Sequence, residues 1–150
     1  MKRKIIALSL ACVASGPVAS EVAPSEVETG EYGAVDVSLS GHPGDPENGA
    51  QVFMNRKLGN CLACHANSDM ADQPFHGQVG PMLDGVADRW SEAELRGMLV
   101  NSKNMFPGTI MPAFYVEAGY TRPKEDFVGE TILTAQQVED VVAYLSTLKY

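Results

Sequence analysis

Basic residues are scarce in this chain: 11 lysines and arginines stand against 19 acidic residues in 150, a formal net charge of −8. A surface so poor in positive charge excludes a nucleic-acid binder and an anionic-membrane binder, and favours partners with basic patches. Cysteine is scarcer still, with three residues, one of them in the N-terminal apolar run. Past that run no apolar stretch is long enough to span a membrane. Few segments alternate polar and apolar residues, so a strand-built architecture is excluded too. There is no internal repeat and no low-complexity tract, and the length suits one core rather than two.

What is present is concentrated in five residues, Cys61-Leu62-Ala63-Cys64-His65. Cys-x-x-Cys-His is the attachment signature of c-type haem. Each thiol can add across one vinyl group to form a thioether, and the spacing of the two cysteines matches the separation of the vinyls. The histidine that follows delivers an imidazole to the iron from the same turn. A thioredoxin-like pair needs no trailing histidine and sits in a βαβ pattern that is missing here. A zinc site needs more cysteine and histidine ligands than the chain supplies. The motif therefore predicts one covalent haem c.

The N-terminus agrees with this. Lys2, Arg3 and Lys4 form a basic stretch, Ile5 to Val13 an apolar one, and Val18-Ala19-Ser20 a small-residue cleavage site. Residues 1–20 read as a cleaved Sec signal peptide, which predicts export to the periplasm, where haem is attached. A lipid attachment at Cys12 is the weaker alternative, because Ser9 stands where leucine is wanted. Cleavage removes Cys12 and takes the 11 basic residues to 8 against 19 acidic, a net charge of −11. No structural disulfide remains once Cys61 and Cys64 hold haem.

Residues 21–44 carry proline, glycine, serine and acids without periodicity and read as an N-terminal arm, either docked or disordered. The main domain, 45–150, opens with Asp45 as a cap and Pro46 in the first turn. That helix is expected to run to about Leu58 and to end at Gly59. Ser91-Glu92-Ala93-Glu94 is a capping box before Leu95, Met98 and Leu99. Thr134-Ala135-Gln136-Gln137 is a second, before Val138, Val141, Val142, Leu145 and Leu148 at helical spacing, with Glu139 and Asp140 expected on the outer face. The expected fold is all-α, loop-rich and built around the cofactor.

His65 is the expected fifth ligand. The sixth must come from His42, His76, Met54, Met70, Met82, Met98, Met105 or Met111. Most methionines fill cores, and Met54 and Met98 sit at helical positions. Met111 lies in Gly108-Thr109-Ile110-Met111-Pro112, where the proline stops a helix and a loop can carry a thioether to the haem face opposite His65. Met111 is favoured, with Met105 as its nearest rival. The carbonyl of Pro81, in Gly80-Pro81, can accept the imidazole Nδ1–H and fix the ring. Arg89 and Trp90 could serve the haem propionates, or equally be a surface arginine and a core tryptophan.

Together these positions resemble a class I cytochrome c: Gly49 and Phe53, the haem motif, Gly80-Pro81, Arg89, Met111-Pro112 and Tyr144-Leu145. The segments Thr109 to Tyr115 and Phe127 to Leu145 are further similar to the SoxX family, cytochrome subunits of the SoxAX complex of bacterial thiosulfate oxidation. That resemblance implies a class I cytochrome c fold in which the first and last helices cross at Gly49 near Tyr144. It also implies a SoxA-like partner with one or two haems and the reactive centre. There the complex acts as an L-cysteine S-thiosulfotransferase, joining thiosulfate to a cysteine of the SoxYZ carrier. The chain with the present sequence would accept the electrons and pass them to a soluble cytochrome c. The apolar residues Tyr115, Val116, Tyr120 and Phe127 are expected to bury in part against that partner, or over the chain's own haem. A freely diffusing shuttle is the alternative function; a haem enzyme or gas sensor would require an open sixth position.

Overall fold

The computed structural model describes residues 20–150, so all of the expected signal segment but Ser20, with its basic residues and Cys12, lies outside the described residues. Among the described residues there are three α-helices, short 3-10 turns and no strand. Asp45 opens α1 (Pro46–Met54): its carboxylate accepts the free N–H of Glu47 at 2.9 Å and, more weakly, that of Asn48. The helix stops at Met54, four residues short of the expected Leu58. Asn55 is the reason. Its side-chain oxygen accepts the N–H of Lys57 at 2.9 Å, an Asx turn that competes with helix continuation, and Gly59 ends nothing.

Both capping boxes form. Ser91 starts α2 (Glu92–Met105) and Thr134 starts α3 (Ala135–Leu145), each with the reciprocal side-chain bond to the third helical residue. The first and last helices cross as expected. A side chain at Gly49 would collide with the carbonyl oxygen of Asp140 and lie 2.8 Å from the Cβ of Tyr144, so only glycine lets the two backbones meet. Phe53 then packs edge-on to Tyr144 at 5.5 Å, which joins both helices to the core of Val52, Leu95, Leu99, Val138, Val141 and Val142.

Glu139 and Asp140 are not on an outer face. They are 4% and 2% exposed. Glu139 accepts Arg96 through two parallel bonds, Nε at 2.8 Å and Nη2 at 2.9 Å, and the N–H of Leu39 at 2.8 Å. Asp140 accepts the N–H of Asp45, the amide of Asn48 and the amide of Gln136. The side of α3 away from the apolar core is covered by the arm and the start of α1, so its charges are buried and fully paired.

The arm is docked, not loose. Val35 and Leu39 are buried, the Val35 N–H donates to the Ala93 carbonyl at 2.9 Å, and the Val35 carbonyl accepts Arg96 Nη1 at 2.9 Å. The Tyr115 hydroxyl donates to the Val22 carbonyl at 2.7 Å. Tyr115 is therefore buried within its own chain, under the arm, and is not available to a partner. Tyr120 likewise turns its hydroxyl inward, to the Ala113 carbonyl at 2.7 Å. Val116 and Phe127 are half-buried.

Candidate haem site

The site begins where α1 ends. Asn60 adopts a left-handed backbone, φ 49°, which asparagine tolerates, and turns the chain into the 3-10 turn Cys61–Ala63. The Cys61 carbonyl accepts the N–H groups of both Cys64 and His65, so the two thiols and the imidazole leave one tight turn. Cys61 and Cys64 are unbridged. Burial, the largest influence on Cys61, pushes its thiol pKa up to about 12. Among the described residues no group of three His, Cys, Asp or Glu side chains could hold a metal ion by itself.

The return segment runs back along the motif. Gly77 N–H donates to Leu62, Gly80 N–H to Cys64 and Leu83 N–H to Ala66, at 2.7–3.0 Å. A side chain at Gly80 would lie within 2.7 Å of the His65 Nδ1, so the glycine leaves room for the ring. The neighbouring Pro81 carbonyl accepts His65 Nδ1–H at 2.6 Å. This fixes the tautomer and leaves the Nε2 lone pair without a protein partner among the described residues, as a proximal ligand requires. The residues present thus fit a covalently held haem. A concavity of about 430 Å³ beside Leu62 and Ala63 includes none of Cys61, Cys64, His65 or Met111.

Arg89 braces this loop. It donates to the carbonyls of Asp84 at 2.7 Å and Met82 at 3.0 Å. Trp90 stands edge-on to Phe106 at 6.0 Å, half-buried, and its indole N–H has no protein partner among the described residues. Of the rival sixth ligands, His76 is occupied on both nitrogens: Nδ1 accepts from Asn67 N–H and Nε2 donates to the Met70 carbonyl. His42 is exposed on the arm. Met70 is buried in the core, Met54 packs against it, and Met98 is half-buried on α2. Met82 is exposed, and Met105 packs against the arm, its Cγ 3.0 Å from where a Gly33 side chain would begin. Met111 sits half-buried in its loop, with its carbonyl held and its thioether free of polar contacts.

A buried network behind the motif had no signal in the sequence. Asn67 donates to the Tyr144 hydroxyl at 2.8 Å, and that hydroxyl donates to Asp69 at 2.9 Å. The chain just after His65 is thereby tied to α3. Tyr144 and Tyr115 both have raised pKa values, with burial the largest cause and, for Tyr115, a value of about 12. An unfolded tyrosine ionises near 10. The folded values lie above the unfolded one, so their stability contribution is full below about pH 10 and falls as pH rises through the folded values. Urea unfolding is expected to give a constant free energy from pH 8 to about 9.5 and a decline above it, shallower in Tyr115→Phe. A flat profile to pH 11 would contradict the assignment.

A haem-attachment turn braced from behind, on a frame closed by its first and last helices, is the design of a class I c-type cytochrome. The cytochrome c family model matches residues 46–149. A solved structure, the crystal structure of SoxXA from P. pantotrophus, is 48% identical, with a TM-score of 0.81 over 87% of this chain and 100% of that chain. No curated protein matches the chain. The chain belongs to the cytochrome c family, among its SoxX cytochromes. It is a haem c electron-transfer protein, and among the described residues no helix is long and apolar enough to cross a membrane.

Proposed function

We propose that the chain carries its single haem on thioethers to Cys61 and Cys64, with His65 and Met111 as axial ligands. It works as the SoxX half of a periplasmic complex with a SoxA-like cytochrome, exported by its N-terminal segment. The observation that carries the site is the Pro81–His65 hydrogen bond, which aims the imidazole from within the attachment motif. When bound, the haem supplies a one-electron couple. With His65 and Met111 both holding the iron, no position on it would be open to substrate, and the task would be relay and not substrate activation. Met111 is the softer ligand and favours the reduced form, which suits an acceptor. Arg89 has donors left beyond the two on the loop, and with the Trp90 indole N–H it is proposed to serve the propionates.

The reaction on the partner is proposed as an L-cysteine S-thiosulfotransferase. A carrier thiol and thiosulfate form a sulfur–sulfur bond, giving the S-thiosulfonate, one proton and two electrons. The carrier is a SoxYZ-type protein, and a soluble cytochrome c takes the electrons onward, one at a time. Kinship with a chain solved as SoxXA at 48% identity supports this reading.

The test is isolation of the native protein from periplasm, followed by gel filtration and denaturing mass spectrometry. The expected result is co-elution with a second, larger cytochrome, and a chain beginning near Glu21 that carries the mass of one haem. A haem-bearing monomer at low salt would turn the assignment to a freely diffusing shuttle. A bare peptide mass would overturn the haem site itself.

A further inference from the structure

Met111 is held by its backbone from two adjacent residues of one helix. Ser102, fully buried in the last turns of α2, donates its hydroxyl to the Met111 carbonyl at 2.9 Å, with the Pro112 carbonyl a longer 3.4 Å away. Lys103 donates its ammonium to the same Met111 carbonyl at 2.6 Å. The Met111 N–H in turn donates to Thr109 Oγ1 at 3.2 Å. Both backbone polar groups of this residue are therefore fixed.

The helix is broken so that it can do this. Asn101 leaves helical geometry, φ −154° and ψ 92°, within α2. The carbonyls of Leu99 and Val100, just before the break, accept the N–H groups of Phe114 and Tyr115 at 2.9 and 3.3 Å. The segment from Met111 to Tyr115 is thus fastened along residues 99 to 103. The residue before it is not: Ile110 is 79% exposed. The Met111 side chain packs against the edge of the core, and the grip on its carbonyl fixes the backbone from which that packing starts.

We propose that Ser102, assisted by Lys103, is the positioning residue for the methionine ligand, holding the Met111 thioether at the iron. This rests on the reading of Met111 as the axial ligand. A neutral hydrogen bond and a charge-assisted one act on the same carbonyl, so loss of either shifts the balance between the ligated and the open loop. Neither residue touches the haem-attachment turn or the His65 brace, so haem attachment and the proximal side are left alone.

The experiment compares the haem-loaded full chain with Ser102→Ala, Ser102→Thr, Lys103→Met and Met111→Ala. It reads the sulfur-to-iron charge-transfer band at the red edge of the visible, and the apparent affinity of the ferric protein for cyanide. Ser102→Ala is expected to weaken the band and tighten cyanide binding by about tenfold, equivalent to ~1.4 kcal/mol, with the Soret band and covalent attachment unchanged. Lys103→Met, at an exposed position that folding tolerates, is expected to move both readouts the same way by a smaller factor. Ser102→Thr keeps the hydroxyl and should restore the band. Wild-type band and cyanide affinity in folded Lys103→Met, or in folded Ser102→Ala, overturn the positioning role. A band that survives Met111→Ala overturns the ligand reading instead, so the two failures are told apart.

Discussion

Met111→Ala is expected to leave the haem attached and to open its sixth position to cyanide and carbon monoxide. The size of the effect follows from population arithmetic. A site open in about 1% of molecules binds an external ligand about 100-fold more weakly than one that is always open. Removing the thioether should therefore tighten apparent cyanide binding by about two orders of magnitude. The charge-transfer band should vanish, while Met105→Ala should change neither. His76 cannot step in without breaking its bonds to Asn67 and Met70. If Met105→Ala opens the site and Met111→Ala does not, the ligand is misassigned.

Arg96→Met is expected to be the most destabilising single change away from the haem. It strands the Glu139 carboxylate, which keeps only the Leu39 N–H, and removes the donor to the Val35 carbonyl. Breaking one side of a buried pair costs about 3–5 kcal/mol. For a domain of this size that corresponds to a fall in Tm of about 10 °C or more. Calorimetry or urea unfolding reads it directly. The arm should loosen at the same time, visible as faster proteolysis near Val35. Adding Glu139→Leu should return much of the loss, because the unpaired charge is gone. A loss under about 1 kcal/mol would mean that water reaches the pair and screens it.

Much of the helical frame could be read from the sequence because its determinants are local. Capping boxes at Ser91 and Thr134 and the Asp45-Pro46 start act within one turn, and all three helices begin where those signals lie. The early stop at Asn55 was also local, but it depended on a side chain choosing its own backbone over the next helical turn. The charges of α3 were misplaced because helical periodicity distinguishes one apolar face and assigns the remainder to solvent. It carries no information that the arm would cover that remainder. The apolar residues of the arm, Val22, Val27, Val35 and Leu39 among them, follow no helical or strand period, and much of its docking goes through backbone carbonyls and N–H groups, which every residue has. The same holds for Arg89, Ser102 and Lys103, whose partners are carbonyls and leave no mark in the sequence. The attachment turn and the Pro81 brace were legible because their chemistry depends on side-chain identity and fixed spacing.

The Gly49–Asp140 crossing has a consequence for the order of events in the cell. These two positions are about 90 residues apart, and the frame closes only when they meet. Under the proposed export the N-terminal part would emerge first, so the Cys61–His65 turn would reach the far side of the membrane before α3 does. For that interval the thiols would belong to an open chain. The thiols would then be reachable without unfolding anything, and the closing of α3 onto α1 would end that access. Truncating the chain before Thr134 would leave that closure missing.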